Sequence, residues 1–72
     1  MTSKYAVVFE KSQTGYGAHV PDLPGCVAGA PTLEEAETLI RETIELHLDG
    51  MREDGDAIPT PTTFAEMIEI TA

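Results

Sequence analysis

The sequence has a single cysteine, Cys26, and no tryptophan. A lone cysteine excludes an intrachain disulfide, and a metal cluster would have to be built from histidines and carboxylates. Basic residues are scarce: four Lys and Arg face 13 Asp and Glu, for a net charge of -9. Proteins hold nucleic acid mainly by neutralising phosphates with Lys and Arg, so direct nucleic-acid binding is not expected. An anionic membrane surface would repel such a chain. No segment approaches the ~20 consecutive apolar residues that span a bilayer. The N-terminus, MTSKYAVVFEKS, shows no leader-like apolar run. A reducing, cytoplasmic setting is the expectation.

What is present is a 72-residue chain, long enough for a single domain over 1–72 with a thin core. An acidic surface suits a basic protein partner through complementary potentials; alternatively it serves solubility alone.

Residues 4–10, KYAVVFE, are rich in aromatic and β-branched residues and predict a strand, with Tyr5, Val7 and Phe9 on one face. KSQTG (11–15) is a polar turn, and YGAHVP (16–21) predicts a second strand paired to the first as a hairpin. In PDLPGC (21–26) the two prolines restrict the backbone and Gly25 permits a left-handed turn, so the stretch reads as a rigid corner. Leu23 can fold back from it onto the sheet. CVAGA (26–30) is a short third strand.

Thr32 and Glu35 form a T-x-x-E capping box. The helix it starts is predicted from about Leu33 to about Asp54, ended by Gly55. Leu33, Ala36, Ile40, Ile44, His47, Leu48 and Met51 fall in one arc that packs on a sheet. Leu39 and Leu46 widen the apolar zone beyond one sheet contact, which predicts a homo-oligomer, dimeric or higher, using those two residues. The other side carries Glu34, Glu35, Glu42, Glu45, Asp49 and Glu53, with Glu37 and Arg41 as a favourable i,i+4 pair. DAIPTPTTF (56–64) cannot be helix, and the isoleucine-bearing FAEMIEI (64–70) predicts a final strand.

No residue stands out as catalytic. His47 sits on the apolar arc and reads as a core histidine bonded to a backbone group. His19 is placed at an exposed or edge position. Cys26 has no histidine near it in sequence and reads as a small buried thiol. The two histidines lack metal-ligand spacing. The glycines form no phosphate loop, since G-x-x-x-x-G-K-[ST] is absent. No cofactor or metal is expected.

YAVVFE, GYGAHVPDLPGCVAGAPTLEEAETLIRETIELHLDGM and GDAIPTP together resemble the N-terminal domain of HicB antitoxins over roughly residues 4–61. The resemblance rests on the strand, the P-D-L-P-G-C corner, the Gly ahead of the T-L-E-E-A helix start and the closing I-P-T-P, in that order. It implies an α+β fold: an antiparallel three- to four-stranded sheet with one long helix on one face (β-β-β-α-β, partial ribonuclease H-like). It also implies a non-catalytic protein that inhibits a small basic RNA-cleaving toxin, HicA. A two-metal nuclease needs several convergent carboxylates, and the first strand offers only Glu10, at its end. Many HicB antitoxins carry a C-terminal DNA-binding module; no basic recognition helix follows here, so operator contact by this chain is not expected. The expected toxin contact is the acidic helix face Glu34, Glu42, Glu45, Asp49 and Glu53. The alternatives are a solitary HicB-like protein with another partner, or a reduced metal-dependent hydrolase using Asp22 with Glu10 or His19.

Overall fold

A computed structural model of the chain describes residues 3–71. Three strands, β1 (Val8–Lys11), β2 (Tyr16–His19) and β3 (Val27–Ala30), precede one helix, α1 (Leu33–Glu53). The strands form an open antiparallel sheet in the order β1-β2-β3. The α+β fold with one long helix on a small antiparallel sheet is therefore as expected.

Register decides which residues meet the helix. Phe9 lies opposite Ala18 and Ala18 opposite Ala28; Ala18 belongs to the core, and Phe9 and Ala28 pack against it. One residue along, Val8, His19 and Val27 form a row that the alternation of side chains turns to the other face. The core itself is Ala18, Val20, Leu23, Cys26 and Ile40, with Tyr5, Val7, Phe9, Ile44 and Leu48 packed around it. Ala36 is also fully buried, where α1 meets the sheet. Ala36, Ile40, Ile44 and Leu48 of the predicted apolar arc are thus the packing face of α1, which lies mainly over β3 and β2, whereas Leu33, at the start of the arc, is exposed.

The helix ends as its sequence requires. Thr32 Oγ1 accepts from the Glu35 amide at 3.2 Å, satisfying one of the free amides of the first turn. At the other end Gly55 takes a φ of +74°. The Asp56 amide donates to Met51 O at 2.9 Å and the Gly55 amide to Arg52 O at 3.2 Å, which is a Schellman motif.

Two strands differ from expectation. β1 begins at Val8 rather than Lys4, because its partner β2 ends at His19 and the chain then turns away, leaving Lys4–Val7 nothing to pair with. The final strand expected over 64–70 is not formed in the single chain. Its preceding residues, Thr62 and Thr63, are tied to Asp22 in the corner after β2.

Candidate functional site

The predicted corner is built from two consecutive β-turns. Leu23 N–H donates to Val20 O at 3.0 Å, and Cys26 N–H donates to Leu23 O at 3.0 Å. Each turn has proline at its second position, Pro21 and Pro24, and the second turn has Gly25 at φ +84° in its third. Val20 N–H closes the unit on Cys26 O at 3.1 Å. This geometry drives Leu23 and Cys26 into the core, both at no more than 1% exposure. Burial pushes the Cys26 thiol above its usual pKa, so it is an inert packing group.

Asp22 points out of the same corner and holds the C-terminal segment. Its Oδ2 accepts from the amides of Thr62 (3.0 Å) and Thr63 (2.9 Å). Its Oδ1 accepts from the Thr62 hydroxyl (3.2 Å) and the Thr63 hydroxyl (2.8 Å). These bonds, those from Thr63 most of all, hold the carboxyl below its ordinary pKa. The sequence reading missed this clamp, and no local signal marked it: its partners stand 40 and 41 residues away.

The remaining chemical residues stay apart. His19 lies half-buried on central strand β2 rather than at an edge, and Glu10 lies on β1, opposite Gly17. His47 is half-buried on α1 and, among the described residues, its imidazole makes no hydrogen bond, so the expected bond to a backbone group is absent. No group of three His, Cys, Asp or Glu is placed to hold a metal among the described residues.

The acidic face is arranged differently. Glu34, Glu42, Glu45, Asp49 and Glu53 are all exposed. They converge on no point but extend over 20 residues of helix, about 28 Å at 1.5 Å of rise per step. Such a strip suits a protein surface rather than a small molecule. Arg52 pairs with Asp49 at 3.0 Å and relieves the repulsion between Asp49 and Glu53; the expected Glu37–Arg41 contact is not made. Leu39 (39% exposed) and Leu46 (73% exposed) lie two turns apart along one flank of this strip.

A family model described as HicB-like antitoxin of bacterial toxin-antitoxin systems matches residues 5–71. The chain belongs to the HicB-like antitoxin family. It is 36% identical over 70 residues to Antitoxin HicB 2 of Photorhabdus laumondii, covering 96% of this chain and 50% of the relative. It is 38% identical over 64 residues to an uncharacterised 14.9 kDa protein of Haemophilus phage HP1, covering 89% of this chain and 48% of that protein. A UPF0150 protein of Archaeoglobus fulgidus is 43% identical over 58 residues, with 76% of this chain and 84% of the relative covered. The HicB-like chain thus spans about half the length of the phage and Photorhabdus relatives. The match takes in the corner, the capped helix and the clamped segment up to residue 71. No helix among the described residues is long and apolar enough to cross a membrane.

Proposed function

We propose that this HicB-like chain binds and neutralises a small basic RNA-cleaving toxin of the HicA type in the cytoplasm, without catalysis of its own. The observation that carries the reading is the exposed strip Glu34, Glu42, Glu45, Asp49 and Glu53 on a family antitoxin of net charge -9. A toxin that cleaves RNA must present Lys and Arg to phosphates, and a row of carboxylates covers that patch by mimicking its charge. Asp22 supports the same reading against a hydrolase: both its oxygens are taken up by Thr62 and Thr63, which leaves it poorly placed to accept a proton. A homo-oligomer belongs to the proposal, with Leu39 and Leu46, both exposed beside the acidic strip, as one candidate contact.

The test is calorimetric titration of the chain with a purified basic toxin from its own cell. The double variant Glu42→Lys with Glu53→Lys places charge reversal on two exposed positions without touching the core. Binding at low salt is expected to weaken by about tenfold, ~1.4 kcal/mol, and its salt dependence to flatten. Unchanged affinity with an intact fold would put the toxin site elsewhere.

A further inference from the structure

The most exposed apolar surface lies in the last segment. Phe64 is 78%, Met67 100%, Ile68 70% and Ile70 78% exposed. Scattered exposed apolar residues are ordinary, but four large ones within seven residues are not. The segment also projects: the radius of gyration is 13.9 Å, against ~11 Å for a compact domain of this length. Its point of departure is fixed by the Asp22 clamp on Thr62 and Thr63.

A groove of about 710 Å³ lies between the residues leading into β1 and the helix. Tyr5, Val7, Ile40, Ile44, Leu48 and Ile58 form its apolar lining. It is open because α1 leans over β3 and β2 and β1 is an edge strand. Three of the chain's four basic residues, Lys4, Arg41 and Arg52, stand around it, with Glu37 and Glu45. Arg52 is engaged by Asp49, so the rim sets Lys4 and Arg41 against Glu37 and Glu45 and is close to neutral on a chain of net charge -9. Alternation puts Phe64, Glu66, Ile68 and Ile70 on one face of the segment. That face offers three apolar side chains for the lining and one carboxylate for Lys4 or Arg41.

We propose that residues 64–70 cross to a second copy of this chain and lie as a fourth strand beside residues 4–7, the stretch that leads into its β1, in that copy's groove. The second copy returns the exchange, so the dimer closes with two-fold symmetry. The chain's own groove is disfavoured by its path. The backbone passes that groove at Ile58, Tyr5 Oη donates to Pro59 O at 2.6 Å, and the chain then runs on to Asp22. Re-entry would need a reversal at residues 64–66, where Phe-Ala-Glu has none of the residues that make tight turns. A basic toxin is the poorer occupant, because it would meet Lys4 and Arg41 where the segment brings Glu66. The inference rests on the homo-oligomer reading above but assigns its contact to the segment and groove instead of Leu39 and Leu46.

The experiment is light scattering on the purified chain across a dilution series, with hydrogen exchange on the same samples. Twice the 7.7 kDa chain mass is expected, with amides 65–70 protected in the dimer and losing protection on dilution. Ile68→Asp is expected to weaken dimerisation by roughly thirtyfold or more without altering the far-UV spectrum, since the side chain touches little of its own domain. Arg41→Glu and Glu66→Arg should each weaken it, and together restore it at least in part. A monomer with residues 65–70 protected would mean that the segment fills its own groove, and would overturn the proposal. So would a monomer whose segment becomes protected only on adding toxin. A dimer that survives Ile68→Asp but is lost with Leu46→Asp would overturn it too, leaving the homo-oligomer reading standing.

Discussion

Replacing Leu23 by alanine probes the corner more directly than any other single change. Leu23 is 0% exposed and sits between the two proline turns, so its side chain is the point at which the corner is fastened to the sheet and α1. Leu→Ala removes three carbons at about 0.8 kcal/mol each, or ~2.4 kcal/mol of transfer free energy. The cavity left behind adds to this, because two hydrogen-bonded turns hold the backbone in place and prevent collapse. The expected loss is about 3–4 kcal/mol. At roughly 0.05–0.15 kcal/mol per residue, a chain of this length has only about 4–11 kcal/mol in total. The variant should therefore be close to half unfolded, or retain only part of its stability. Urea unfolding by circular dichroism, at fixed protomer concentration, is the assay. With a slope near 1 kcal/mol/M for so small a domain, the midpoint should fall by about 3 M. Leu23→Met, which keeps the volume, should cost less than about 1.5 kcal/mol. A loss below about 1 kcal/mol for Leu23→Ala, at unchanged slope, would refute the claim that this side chain fastens the corner.

Two further outcomes follow from other parts of the fold. A Cβ on Gly15 would lie 2.3 Å from Ala30 O and 2.9 Å from Pro31 Cα, both backbone atoms, so Gly15→Ala should lower stability by about 1–3 kcal/mol. Gly17→Ala, which meets nothing within 4 Å, should change it by about 0.5 kcal/mol or less; equal losses in thermal melts would be inconsistent with the close approach at Gly15. The hydrogen bonds from Thr63 and Thr62 hold the Asp22 carboxyl below its ordinary pKa in the folded chain, so the clamp contributes at pH values above its unfolded pKa and is lost as pH falls through the lower folded value. The Thr62 and Thr63 amide resonances should accordingly titrate with a midpoint below the ordinary aspartate value. A midpoint at or above that value would show that the carboxylate does not hold them.

Elements fixed by local physics were legible without coordinates. The Thr32 capping box and Gly55 set the two ends of α1 because caps and left-handed glycines act within a turn of their own position. The apolar arc from Ala36 to Leu48 gave the buried face because helical spacing is a local property. The proline turns at Pro21 and Pro24 gave the corner for the same reason, and the acidic strip followed from the same periodicity. The order and spacing of these pieces sufficed to mark the family. Other features depended on which residues meet across the chain. How much of β1 is paired was decided by where β2 ends, not by the strand-forming residues at 4–7. His19 became a central-strand residue only because β3 lies beyond β2. Asp22 looked like a possible catalytic carboxylate until the fold brought Thr62 and Thr63 to it from 40 residues away, a closure with no signature in either stretch. Residues 64–70 carry the composition of a strand, but a strand is made by its partner, and within one chain the tertiary structure supplies none.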